Sequence, residues 1–379
     1  MAEYLRQMPD SVGPLTRPAG LARKLHVDLP LLLLLVLLTA YGLLVLYSAS
    51  GQSMGAVLRQ GRYFLLAYLV MFIVAQISPV RWSRWSPWGY VAGVLMLVAV
   101  VFAGVGAKGA QRWLELGGFR FQPSEIMKLA VPMTIAWYLG HRILPPGPKY
   151  IAACLLMIAV PCALIVRQPD LGTSLLIAAA GLFGVFMAGI SWRFIIGAAL
   201  VAVFSAWPAW MFMLQDYQKQ RILTLLNPES DKLGAGWNII QSKTAIGSGG
   251  WSGKGWIQGT QSQLDFLPES HTDFIIAVLA EEFGFRGVLL LLALYLLILL
   301  RAFWIGLNAQ SSYGRILCGS LTLTFFVYIF VNMGMVAGLL PVVGVPLPLV
   351  SAGGTSVVTL MAGFGLLMAV STEQRVIGQ

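Results

Sequence analysis

Charge is what this sequence has least of: Asp, Glu, Lys and Arg together make up 11% of 379 residues. Soluble domains carry about a quarter, so a water-exposed globule is excluded. Cysteine is scarce too, and Cys154, Cys162 and Cys318 all fall inside apolar runs, which leaves neither a disulfide framework nor metal-ligand spacing. The apolar runs are continuous rather than alternating, which excludes a membrane barrel. No module of basic and aromatic residues supports nucleic acid as a partner, no repeat of fixed period is visible, and nothing marks a soluble domain boundary. The start of the chain lacks a signal-peptide cleavage pattern.

What is present is hydrophobic length. Apolar residues reach 58% and mean hydropathy is +0.79. Apolar runs lie at about 29–48, 63–79, 88–106, 123–140, 150–166, 172–190, 195–214, 274–300, 314–340 and 350–371; a helix crosses a bilayer with about 20 such residues. The sequence therefore predicts an all-α integral membrane protein of about ten transmembrane helices. Residues 1–379 form a single polytopic domain, with 1–27 a short cytoplasmic tail and 28–372 the transmembrane core.

Orientation follows from Lys and Arg in the short loops. With the N-terminus inside, Arg81, Arg84, Arg142, Lys149, Arg193, Arg301, Arg315 and Arg375 lie on the cytoplasmic side. Both termini are then cytoplasmic, and one large loop, about 215–272, lies outside between spans seven and eight. A net charge of +10 suits loops beside anionic lipid.

Ionisable residues at membrane depth are costly and are functional candidates by default. Pro123 opens a helix in which Glu125 and Lys128, three residues apart, share a face. They form either a local ion pair or, with Lys108, Arg112 and Arg120, a cationic cluster for an anionic headgroup. Gly247–Gly255 is glycine-rich, but Ser248 and Gly255 break the phosphate-loop spacing, so it is either a flexible turn or an anion-binding nest. Ser270-x-x-Asp273 has the form of a capping box. Asp273 also stands at the mouth of a span, where a carboxylate can take a proton from a hydroxyl at the membrane surface. His271 beside it reads as a hydrogen-bonding support. Glu282 and Arg286 have the spacing of an i, i+4 pair. Segment 341–356 is rich in Pro and Gly at membrane depth, which is tolerated only where it lines a cavity or is covered by protein.

Together, Gly109-Ala110-Gln111-Arg112-Trp113-Leu114, Phe121-Gln122-Pro123-Ser124-Glu125, Gln168-Pro169-Asp170-Leu171-Gly172-Thr173-Ser174, Leu267-Pro268-Glu269-Ser270-His271-Thr272-Asp273-Phe274 and Pro346-Leu347-Pro348-Leu349-Val350-Ser351 resemble the SEDS family (shape, elongation, division, sporulation) over about residues 29–372. The resemblance implies a bacterial cytoplasmic-membrane peptidoglycan glycosyltransferase that polymerises lipid II on the outer face for cell-wall elongation. It implies Asp273 as the essential aspartate, with Glu125 and Lys128 also catalytic. Arg120, Arg112, Lys108, Arg221, Arg59 and His271 are then substrate-binding candidates. It further implies lipid II and the undecaprenyl-linked glycan strand as ligands, a class B penicillin-binding protein as transpeptidase partner, and a divalent cation, Mg or Mn, as an aid to pyrophosphate departure. The competing readings are a lipid II flippase and a non-catalytic scaffold.

Overall fold

The computed structural model describes residues 25–107, 110–116, 119–213, 215–231, 234–263 and 269–373. Its helices begin where the sequence supplies a cap or a proline. Asp28 accepts from the Leu31 amide at 3.1 Å to open α1, Leu29–Ala49. Ser53 caps α2, Met54–Ala75, while Pro79 and Pro123 open α3, Pro79–Ala103, and α4, Pro123–Gly140. After α5, Pro148–Val166, Asp170 accepts from the Thr173 amide at 3.2 Å and starts α6, Leu171–Met187. Helix α7 spans Trp192–Pro208, and the connection that follows carries α8, Asp216–Leu226, α9, Ala235–Gly249, and the single turn α10, Thr260–Gln263. The chain then re-enters the bundle through α11, Ile275–Leu307, α12, Ser312–Val336, and α13, Thr355–Ser371.

Six of these helices, α1, α2, α3, α5, α11 and α12, are long and apolar enough to cross a membrane, and α6 and α13 are shorter apolar helices. Two large apolar cores and one small one, around Leu176, Tyr328 and Val345, form among the described residues. Of the large two, one joins α1, α2, α11, α12 and α13; the other joins α3, α4, α5 and α6 to the opposite flank of α12. Helix α12 contributes to both and is the most buried of the long helices. Leucines such as Leu65, Leu95, Leu156 and Leu300 instead point outward, as a lipid-facing surface requires.

The two ends of the bundle can be told apart. At one, Arg301 grips Asp28 through both carboxylate oxygens, at 3.0 and 2.8 Å, and the Ser371 hydroxyl joins it at 3.1 Å. Residues 28 and 371 therefore sit together. At the other end, about 31 Å along α1 at 1.5 Å per residue, Ser270 donates to the Ala49 carbonyl at 3.0 Å. The loop preceding α11 closes there.

Three features depart from the sequence reading. First, the chain is not purely helical: Val105–Ala107 (β1), Ala110–Leu116 (β2) and Phe119–Phe121 (β3) make a small antiparallel sheet, with Leu114 opposite Phe121 and Glu115 opposite Arg120. Gly117-Gly118 between β2 and β3 is a hairpin signal that the apolar-run reading passed over. Second, α2 begins at Met54, a polar turn and more before the apolar run. Third, α11 is broken at Gly284, where φ is 64° and ψ is −163°, so Glu282 and Arg286 do not share a regular helical face. Glu282 accepts from Ser48 on α1 at 2.5 Å.

That break explains the glycine-rich run. Neither a loose turn nor an anion nest, it interlocks with α11: the Lys254 and Gly255 amides donate to the carbonyls of Glu281 and Glu282, each at 3.0 Å, and the Phe285 amide donates to Gly250 at 2.9 Å. A Cβ at Gly253 would run into the Glu282 carbonyl, and one at Gly284 into the backbone of Trp251–Gly253. Glu281, wholly buried, takes the Lys254 ammonium at 2.7 Å, the Thr260 hydroxyl at 3.1 Å and the Gln261 amide at 2.9 Å. Gly284→Ala places a Cβ both in a glycine-only backbone region and against a packed strand of chain. It should cost at least about 2 kcal/mol, read as a lowered melting temperature of the detergent-solubilised protein.

Candidate active site

Asp273 lies in the turn Glu269–Phe274 that leads into α11. The capping-box expectation is not met: the N-cap position falls on Phe274, and the Ser270 hydroxyl is engaged by Ala49. The turn is held instead by the irregular segment between α12 and α13. The Ser351 hydroxyl donates to the Thr272 carbonyl at 2.5 Å, and the Ala352 amide donates to the His271 carbonyl at 2.9 Å. Asn332 of α12 donates through Nδ2 both to the Asp273 carbonyl, at 2.9 Å, and to the Val345 carbonyl, at 2.7 Å. The Asp273 side chain is half-buried, and one carboxylate oxygen packs against Gly344, 3.5 Å from where a Cβ would stand. Gly344 has φ of 75°, a backbone turn that favours glycine.

Beside this turn opens a cavity of about 720 Å³, within the usual range for a ligand pocket. Its walls are the end of α1 (Ser50), the start of α2 (Arg59, Gln60, Tyr63), His271 and Gly353. Arg59 is exposed and makes no ion pair among the described residues, and no carboxylate lines the cavity. The Gln60 side chain is buried, and its Oε1 accepts from the Gly353 amide at 3.1 Å. The pocket thus offers hydrogen-bond donors and a cation to an anionic, sugar-bearing headgroup.

Glu125 and Lys128 do form the ion pair that their spacing predicts, at 2.6 Å, with Glu125 buried and Lys128 largely so. The Lys128 ammonium sits 5.5 Å from the centre of the Tyr328 ring on α12. Beside the pair lies a second, smaller cavity of about 40 Å³, lined by Glu125, Lys128, Thr324, Tyr328 and Ser356 among mostly apolar neighbours. Oε2 of Glu125 and the Tyr328 hydroxyl are buried there without a hydrogen-bond partner among the described residues. In this mostly apolar cavity those two oxygens are the groups that an ordered water could bond.

The remaining candidates divide. Arg112 on β2 is engaged by the turn between α5 and α6, donating to the carbonyls of Gln168 (3.3 Å) and Pro169 and lying 3.6 Å from the Asp170 carboxylate. Its guanidinium holds the sheet against the bundle rather than standing open. Gln122, just before α4, adds a hydrogen bond to Asp170 at 3.3 Å. Arg221 is on α8, which packs on the Pro228–Ser230 turn and α9. Lys108 and the Arg120 side chain lie outside the described residues. No three His, Cys, Asp or Glu side chains among the described residues could hold a metal ion, and Glu125 is already matched by Lys128. Among the described residues, the donor set does not fit a protein-held divalent cation.

Sequence reading missed Tyr328 and Asn332, the residues of α12 that touch the two halves of the site. An Asn inside the apolar run 314–340 was itself a signal, since an amide at membrane depth needs a partner.

Several known proteins are similar to this chain. The chain is 52% identical over 357 residues to the peptidoglycan glycosyltransferase MrdB of Escherichia coli K12, covering 94% of this chain and 96% of that one. It is 36% identical to the probable peptidoglycan glycosyltransferase FtsW of Trichlorobacter lovleyi, covering 94% and 95%. Among solved structures, a chain of a peptidoglycan synthase complex that coordinates polymerization and crosslinking superposes with a TM-score of 0.80 at 30% identity, covering 91% of this chain and 97% of that one. The Thermus thermophilus rod shape determining protein RodA gives a TM-score of 0.68 at 28% identity, covering 91% and 96%. The cell cycle protein model of FtsW, RodA and SpoVE matches residues 29–376. This chain belongs to that cell cycle protein family.

Proposed function

We propose that this chain polymerises lipid II into glycan strands at the outer face of the bacterial inner membrane, with Asp273 as the base. The chain is a peptidoglycan glycosyltransferase and a multi-pass membrane protein, as its family and its apolar helices indicate. The observation that carries the residue assignment is the half-buried Asp273 carboxylate, held by backbone tethers on both flanks beside a 720 Å³ cavity bearing Arg59.

In this reading the carboxylate takes the proton of the acceptor sugar's 4-hydroxyl. The oxygen then attacks the anomeric carbon of the donor sugar, whose bond to pyrophosphate breaks, and the electron pair leaves with undecaprenyl pyrophosphate. Donor α and product β linkages require inversion, so a single displacement suffices and no glycosyl-enzyme forms. Negative charge grows on the leaving pyrophosphate, and fixed cations stabilise it there. Arg59 at the cavity supplies one, with Arg120, Lys108 and Arg221 as further candidates. Glu125 and Lys128 act together, the carboxylate fixing the ammonium. No step is routed through a metal. The ten-span count, cytoplasmic termini and outward 215–272 connection belong to the same proposal. Residues 28 and 371 meeting at the end opposite the Asp273 turn support it. A class B penicillin-binding protein is the expected transpeptidase partner, in line with the synthase complex that this chain resembles.

Asp273→Ala should lower lipid II polymerisation by purified protein in liposomes by roughly 10²- to 10⁴-fold with the melting temperature retained. Strands made at the wild-type rate would remove Asp273 as the base. If wild type moves labelled lipid II across vesicles yet makes no strands under any condition, the flippase reading takes over. For the buried pair, Lys128→Met strands the Glu125 carboxylate and should destabilise by about 3–5 kcal/mol. The double change Lys128→Met with Glu125→Gln should recover most of that stability but not activity, a pattern that a double-mutant melting cycle with a parallel strand assay reads directly.

A further inference from the structure

We propose that Asn332 is the positioning residue that fixes Asp273 relative to the Glu125–Lys128 pair; the inference rests on the reading of Asp273 as the base. Asn332 is wholly buried in α12, and it is the one side-chain amide on that helix. A buried amide is unfavourable unless its hydrogens find acceptors. Here the Nδ2 hydrogens go to two carbonyls from separate parts of the chain, Asp273 at 2.9 Å and Val345 at 2.7 Å. No apolar residue of the same volume could hold both, and helix packing alone does not call for the group.

The placement of the two acceptors gives the amide a function. Val345 follows Gly344, whose backbone packs against the Asp273 carboxylate. By gripping Asp273 on one side and Val345 on the other, Asn332 sets the spacing between the carboxylate and the wall it leans on. The same helix reaches the other half of the site. Tyr328, four residues earlier and so on the same face, lies under the Lys128 ammonium. Four residues of α-helix advance roughly 6 Å. A rigid helix at the centre of both large apolar cores therefore carries one contact to the base and one to the buried cation, and the separation of the two is fixed by a single turn. Ser351 and Ala352 also hold the turn, but through Thr272 and His271. Asn332 alone among the described hydrogen bonds takes hold of Asp273 itself from α12.

The test compares Asn332→Ala and the isosteric Asn332→Asp with wild type and Asp273→Ala. The full chain is reconstituted in liposomes with lipid II, and kcat, KM and melting temperature are read for each. Misplacing a reacting group by about 1 Å costs on the order of 100-fold. The expected result is a kcat lower by roughly 10- to 100-fold in both Asn332 variants. KM should stay within about twofold of wild type, since the cavity walls are untouched, and the protein should remain folded at the assay temperature. Asn332→Asp keeps the side-chain volume but can serve at most one of the two carbonyls, as the protonated acid, so it too should lower kcat. Wild-type kcat in either variant overturns the proposal. So does a rise in KM with kcat unchanged, which would mark a residue of the binding cavity. If both variants lose the folded state, Asn332 is an architectural residue and the proposal is likewise overturned. Asp273→Ala separates the two claims. If it remains active, the base assignment fails irrespective of Asn332; if it is inactive while Asn332→Ala turns over normally, only the positioning role fails.

Discussion

Backbone polar groups at membrane depth have no water to bond with, and the segment between α12 and α13 has to meet that constraint without being helical. It does so by bonding inward. The Pro348 carbonyl accepts from Tyr295 at 2.7 Å, the Leu347 amide donates to Ser351 at 2.9 Å, the Gly353 amide donates to Gln60 at 3.1 Å, and Val345 accepts from Asn332. The bond within the segment braces it, and the other three tie α11, α2 and α12 to the same stretch of chain. The turn carrying Asp273 lies against that stretch and is held by it, so satisfying an awkward backbone and placing a carboxylate are one arrangement. A loop that lacked these partners would be unstable in the bilayer, and the same loss would release Asp273.

A second constraint operates where α11 breaks. Gly284 lets the 250–255 run lie against the helix, and the amides of that run close on the carbonyls that the break exposes. Lys254 then matches Glu281, a carboxylate that could not stay ionised alone in so buried a place. The connection from α9 is thereby anchored to the helix that begins just after Asp273. One flank of the Asp273 turn is set by α12 and its following segment, the other by this anchored helix.

How far the sequence carries the reader depends on whether a feature is local. The apolar runs became helices because hydrophobic length is a local property, and the Glu125–Lys128 pair followed from a three-residue spacing on one helix face. Asp273 was legible as a carboxylate at a helix entrance, although its reading as a cap was not met, because Ser270 found the distant Ala49 carbonyl. The Glu282–Arg286 spacing misled because it assumes an unbroken helix, and Gly284 breaks it. The roles of Asn332, Tyr328, Lys254 and Arg112 were hidden for one reason: their partners are supplied by packing between elements far apart in sequence. Arg112 looked like a spare cation only while Asp170 was out of view. The sheet is the exception, a local feature signalled by Gly117-Gly118 that membrane-span reasoning outweighed.

Asp273 and Glu281 stand within a few turns of each other at the same end of α11, and their surroundings assign them different work. Glu281 is wholly buried, accepts three donors from one loop and is matched by a lysine. A carboxylate so enclosed cannot reach a substrate hydroxyl, and giving up its partner would leave a buried charge uncompensated. Asp273 is half-buried, and the donors from Asn332, Ser351 and Ala352 engage the backbone carbonyls of its turn rather than its carboxylate. The fold thus secures the main chain of the turn, whose Ser270, His271 and Thr272 line the cavity next to it. Proton transfer demands that division: a fixed position with an oxygen within hydrogen-bond reach of the substrate. Of the two carboxylates, Asp273 is therefore the one proposed as the base.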